Sequence, residues 1–193
     1  MRIEKIGTEN HEKTVGIAEF QNTRELTQNQ LIQLVVTLSS DETTIQLLNG
    51  LLISDEIHLL SAAENAINAQ HGNYMLSRSL DVEIIVFASA QRQIGKAIEA
   101  LGVYDGLGEV AAVVLGSDAK SVENTIQKLA EKIGQEIIPA FPPTMERLRR
   151  IKKQFEISNT EISAISDSES IESQMAALSR CVVSRVSLVA IDS

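Results

Sequence analysis

Hydrophobic positions along the chain fall into two periods, and one stretch anchors their assignment. Residues 82–102, VEIIVFASAQRQIGKAIEALG, read as strand, tight turn and amphipathic helix. Residues 82–87 form a short β-branched and aromatic run, as expected of a buried or half-buried strand. Ser89 falls at an N-cap position, where its hydroxyl can accept from the free amides of a first helical turn. Ile94, Ala97, Ile98 and Leu101 follow at i, i+3, i+4, i+7, which is one helix face. Gly102 stands where a left-handed residue would end that helix.

The same two periods assign the rest of the chain. Residues 3–6 fit an edge strand, and 15–20 a strand with Val15 and Ile17 inward. Leu31, Leu34, Val35 and Leu38 mark a helix over 25–38. The apolar run 44–53 contains a strand with a bend or bulge at Asn49-Gly50. Ser54 then reads as an N-cap, with Asp55 and Glu56 at the positive end of the helix dipole. Ile57, Leu60, Ala63 and Ile67 give the inner face of that helix, and His71-Gly72-Asn73 its end. A short helical piece is expected over 74–80. After a turn at 104–108 come a strand at 109–115 and a helix with Val122, Ile126, Leu129 and Ile133 inward, ended by Gly134. A short strand at 135–139 is stopped by proline. Pro142-Pro143 opens the next helix, whose inner face is Met145, Leu148, Ile151 and Phe155. A polar loop at 166–170 leads to a long final helix carrying Ile171, Met175, Leu178, Val182, Val186 and Val189. The expected fold class is α+β, a single domain in which several helices pack on a small mixed or antiparallel sheet.

Composition narrows the function. At 193 residues, 44% hydrophobic and 22% charged, the chain suits one globular domain. No apolar run approaches the ~20 residues that span a bilayer, and the first residues run into charge without a signal-peptide pattern. The single cysteine, Cys181, cannot form an intrachain disulfide, which fits a reducing compartment. The expectation is a soluble, cytoplasmic protein with no membrane partner. The net charge of −9 fits poorly with a surface that wraps nucleic acid, so any RNA contact should be small and local. Aromatics are 3% of the chain, and Phe20, Phe87 and Phe155 look like core, which argues against a generic module that stacks bases. No phosphate-loop, zinc-helix or paired-cysteine motif is present. Gly106-x-Gly108 lacks a third glycine and reads as a turn. Glu83 and His58 read as structural, and Cys181 as packed. The chain is therefore expected to be non-enzymatic, without cofactor or metal.

Three constellations could still contact a partner. Ser89, Arg92 and Gln93 surround a turn whose free amides could cradle a phosphate or a base; the alternative is a capped helix with a solvated arginine. Arg147, Arg149, Arg150, Lys152 and Lys153 form the one dense basic stretch, in which Arg149, Arg150 and Lys153 share a face. That face is either a phosphate contact or a solvated helix surface. Arg78, with Tyr74 and His71, could contact RNA beside the Arg92 turn, or be ordinary surface.

The stretch VEIIVFASAQRQIGKAIEALGV resembles the small tRNA-binding subunit of the KEOPS complex, the PRPK-binding (TPRKB-like) family. The match is carried by Glu83, Ile84, Ile85, Arg92, Gln93, Ile94, Ala97, Ile98 and Gly102. It extends from about Gly16 to Val189 through the capped helix after residue 54 and the acidic linker before the final helix. The resemblance implies a non-catalytic subunit of the complex that makes threonylcarbamoyladenosine in tRNA. Such a subunit would bind the PRPK-like kinase/ATPase subunit and hold the single-stranded CCA tail of tRNA. Kinase binding would need exposed apolar residues, with Leu178 and Val182 of the final helix and Ile94 and Ile98 as candidates; all four could equally be core. Two rivals stand beside this reading. One is a kinase scaffold that never touches RNA. The other is a small-molecule regulatory domain with the Gly106–Gly108 turn and the Arg92 turn as its pocket.

Overall fold

The structure, a computed structural model, describes residues 1–7 and 12–190. Four antiparallel strands form its sheet: β1 (Arg2–Ile6), β2 (Lys13–Gln21), β3 (Thr44–Asn49) and β4 (Glu109–Gly116), in the order β1-β2-β4-β3. β4 is central and pairs Val113 with Ile17 on one side and Ala112 with Leu47 on the other. β1 and β3 are the edges.

Both faces of the sheet are covered, so alternate residues enter two cores. Val15, Ile17, Ala111, Val113 and Leu115 face a large core shared with α2 (Glu56–Gly72), α3 (Leu80–Ala88) and α8 (Ile171–Leu188). Ala18, Phe20, Val110, Ala112 and Val114 face a smaller one under α1 (Gln28–Leu38) and α5 (Ala119–Ile133). α5 lies so close to β2 that a Cβ on Gly16 would meet Val122 Cγ1 at 2.4 Å. The predicted inner face of α5 is buried throughout. The α+β class matches the expectation from sequence, and of the two expected sheet types, mixed or antiparallel, the sheet is antiparallel.

Several local expectations are corrected. Residues 82–87 are helix, not strand: they lie inside α3, whose Glu83, Ile84, Ile85, Val86, Phe87 and Ala88 are all buried. A helix surrounded by protein on all sides reads as a continuous apolar run, which periodicity alone cannot separate from a buried strand. Residues 74–80 hold no helix before Leu80; the buried Glu83 carboxylate organises this loop, accepting from the Leu76 amide at 3.0 Å and the Ser77 amide at 2.8 Å. Asp55, not Ser54, caps α2 by accepting from the His58 amide. The helix therefore starts one residue late, with Ile57 exposed and Ala62 and Ala66 buried. Ser54 Oγ is left buried and unpartnered. Gly102 follows α4 (Ile94–Leu101) in extended conformation, with φ −68°. It is glycine because a Cβ there would meet the Ile98 carbonyl oxygen at 2.4 Å. Residues 135–139 contribute one isolated bridge, Phe20 to Glu136. A helix that the pattern does not predict, α7 (Asn159–Ile165), precedes the polar loop and carries a Ser158–Glu161 capping box.

The remaining correction concerns α6 (Met145–Gln154). Met145 is exposed, and Arg147 takes the inner position with Leu148 and Ile151. Arg147 is 5% exposed. Its Nη2 donates to Glu19 and to Glu109, both at 2.8 Å, and its Nη1 donates to the Gly50 and Ile53 carbonyls. Its guanidinium also lies over the Phe141 ring, 5.6 Å from the centroid. Glu19 is fully buried on β2 and also accepts from the Phe141 amide. Burial pushes its carboxyl above the usual range despite the guanidinium beside it. One side chain thus joins α6 to β2, β4 and the turn after β3.

Removing one partner of a buried pair strands the other charge in low dielectric. Arg147→Met is expected to cost about 3–5 kcal/mol in denaturant unfolding. Arg150→Met, which breaks an exposed pair with Glu146, should cost no more than about 0.5 kcal/mol. A cost for Arg147→Met as small as that of Arg150→Met would contradict the anchoring role.

Candidate functional site

Two recesses flank α3, one at each end. At its C-terminal end the chain turns through Ser89, Ala90 and Gln91, with Ala90 in the left-handed region at φ 53°. Ser89 is the C-cap, not an N-cap. Its hydroxyl donates to the Val86 carbonyl at 3.0 Å and accepts from the Gln91 amide at 3.3 Å. The polarity of the predicted cradle is therefore reversed, because a helix C-terminus presents carbonyls rather than amides. The next helix, α4, has Gln93 at its N-cap position and no side-chain cap.

This turn borders a cleft of about 320 Å³ whose other walls are the ends of α6 and α8. Two arginines enter it. Arg92 Nη1 donates to the Val189 carbonyl at 3.2 Å. Arg185 donates to Glu161 at 2.7 Å and to the Cys181 carbonyl. The Glu161 carboxyl is held down at about 2, first by the Ser158 amide and then by Arg185. The cleft thus combines guanidinium groups with helix-end carbonyls. Phosphates match the first; the carbonyls are engaged within the protein, those of Val86 and Phe87 accepting from the Gln91 and Ala90 amides, that of Ala88 from His58 and that of Val189 from Arg92.

Other predicted RNA contacts are dispersed. Gln93 is exposed beside the cleft. Arg78 is exposed before the first residue of α3, while Arg92 follows its last, so a helix of roughly 13 Å separates them. On α6, Arg149, Arg150 and Lys153 remain exposed, but Arg150 pairs with Glu146 and Lys152 with Asn159. With Arg147 turned inward, the five-cation stretch is not one free surface. The two turns of the rival small-molecule pocket do not share the Arg92 cleft. The 106–108 turn is tied to Asn22 and Gln21 and lies outside the lining of the Arg92 cleft.

The second recess, about 230 Å³, lies between α1, α3 and α4 over the edge strand β3. Leu31, Leu47, Ile85 and Val103 are its buried floor. Ile32, Val36, Val82 and Ile98 rise around it, with Val36 65% and Ile98 46% exposed. The face expected on α4 is therefore split: Ala97 and Leu101 are core, whereas Ile94 and Ile98 are exposed. Leu178 and Val182 are fully buried in the main core and give a partner no surface. The sequence reading missed Ile32 and Val36. Their signal was the i, i+4 spacing of two aliphatics off the buried stripe of α1.

His58 ties the cleft to α2. It is buried edge-on to Phe155 at 5.5 Å between ring centroids. Its Nδ1 accepts from the Ser54 amide at 3.4 Å, so its Nε2–H donates to the Ala88 carbonyl at 2.8 Å. Among the described residues, no group of three His, Cys, Asp or Glu side chains could hold a metal, and no helix is long and apolar enough to cross a membrane.

The fold is an α+β domain with an exposed apolar groove on a well-packed core, the kind of surface that marks a partner-binding site. The sequence profile described as kinase binding protein CGI-121 matches residues 17–190, and the chain belongs to that family. No curated protein matches it by sequence.

Burial holds the His58 imidazole below its ordinary range. The neutral ring is favoured in the folded state, so its contribution is complete above the unfolded value of about 6.5 and is lost as pH falls. Thermal unfolding should show stability declining from about pH 6.5 toward 5. His58→Gln should flatten that decline while lowering stability at every pH. An unchanged slope in the variant would exclude His58 as its source.

Proposed function

We propose that this chain is the non-catalytic subunit of a KEOPS-type complex for threonylcarbamoyladenosine modification of cytoplasmic tRNA. In this reading it binds the PRPK-like kinase/ATPase subunit through the α1/α3/α4 groove and holds the CCA tail of tRNA in the Arg92 cleft. The observation that carries the kinase contact is the groove itself. Ile32, Val36 and Ile98 stand exposed around an apolar floor, in a family described by kinase binding. Exposed apolar residues grouped around a recess mark a protein-interaction surface.

The RNA contact rests on Arg92 and Arg185, which line the cleft, although Arg185 must share its guanidinium with Glu161. A single-stranded tail offers few phosphates, so a local pair of guanidiniums suffices on a chain of net charge −9. With Z phosphates neutralised, the salt slope for single strands is about −0.7Z, which predicts a shallow dependence here. The acidity also supports a second reading, a kinase scaffold without RNA contact.

Binding of the PRPK-like kinase, of intact tRNA and of tRNA lacking its CCA end separates these readings. Val36→Asp and Ile98→Asp, at exposed positions, should weaken kinase binding at least about tenfold, or about 1.4 kcal/mol, with little change in melting temperature. Arg92→Ala and Arg185→Ala should weaken intact tRNA only. Equal binding of intact and trimmed tRNA would refute tail recognition. Absence of tRNA binding to the chain alone and to its complex with the kinase would leave the scaffold.

A further inference from the structure

The groove carries one charged group. Asp81, in the first turn of α3, is the only ionisable side chain among its lining residues, and it is half-buried. Its carboxylate has no hydrogen-bond or ion-pair partner among the described residues. Two nearby polar groups are committed elsewhere. Glu83 serves the 76–77 amides, and the Gln46 amide donates to the Leu47 carbonyl at 2.7 Å. The helix dipole favours a carboxylate at this position but supplies no directed partner.

A lone carboxylate at the rim of an apolar recess selects what can fill it. A purely apolar segment would desolvate Asp81 without compensation, and an acidic one would be repelled. A segment with an aliphatic side chain and an adjacent lysine or arginine satisfies both the floor and the rim. Excluding water around such a pair strengthens it relative to an exposed one. We infer that the kinase segment seated in the groove inserts an aliphatic side chain and pairs an adjacent basic residue with Asp81. Asp81 then sets which segment is accepted. This rests on the reading that the kinase docks in the groove.

The test measures dissociation constants of the PRPK-like kinase at low and high salt for wild type, Val36→Asp, Asp81→Asn, Asp81→Lys and Asp81→Glu, each checked by melting temperature. Asp81→Asn should weaken binding about tenfold at low salt and less at high salt. Asp81→Lys should weaken it further, and Asp81→Glu should recover most of the loss. If Val36→Asp weakens binding while Asp81→Asn binds like wild type, the ionic contact is overturned and the groove stands. An equal loss for Asp81→Asn at both salts also overturns it, since an ion pair must be screened. If Val36→Asp binds like wild type, the groove reading falls, and this inference with it.

Discussion

A helix whose last six residues are all buried must be enclosed, and α3 imposes that requirement on this fold. From Glu83 to Ala88 every side chain is buried, so no side can face water without losing roughly 1.5–3 kcal/mol per large aliphatic residue. Enclosure takes the sheet on one side and α2, α4 and α8 around the rest. The small side chains of α2, Ala62, Ala63, Ala66 and Ala69, are buried in the same core and let the helices approach closely. Glu83 is the one polar residue of the buried segment. It is tolerated because both its oxygens accept backbone amides of the preceding loop.

Enclosing the middle of α3 leaves its ends to shape the surface. At the N-terminal end the two helical layers part around β3, which has no neighbour on its outer side. Helix α1 covers one face of that edge and α3 with α4 the other, and the gap between them is the apolar groove. At the C-terminal end the chain reverses through Ala90, and α6 and α8 end beside it, which makes the cleft. His58 holds this end by its bond to the Ala88 carbonyl. The Arg147 anchor acts elsewhere, fixing α6 to the sheet so that Phe155 closes the floor beneath His58. Both recesses are thus consequences of how one buried helix is packed, and neither requires a mobile part.

Much of this was legible in the chain and some was not, for identifiable reasons. The four strands of the sheet, the stripe of α5 and the α+β class follow from clear periods. Residues 82–87 carry no period, so their length and β-branched content pointed to a strand; the corrective signal was Ser79 followed by Asp81 and Glu83, an acidic first turn. The Arg92 turn was located, but its polarity depended on that misassignment. Arg147 was read as surface because its neighbours are cations. The hint to the contrary lay in Glu19, which shares the inward parity of Val15 and Ile17 and so demanded a buried partner. The groove was partly visible in Ile98, which lines it. Ile32 and Val36 were missed because a helix face that stays open has the same composition as one that is covered.

Hydrogen–deuterium exchange of the chain, alone and with saturating PRPK-like kinase, locates the contact without substitutions. Helices α1 and α4 have exposed outer faces, so their amides have room to slow on binding. Slower exchange concentrated in α1 and α4 is the predicted result. Slowing confined to α6 or to the Ser89–Arg92 turn, with α1 and α4 unchanged, would contradict it and put the kinase on the opposite end of α3.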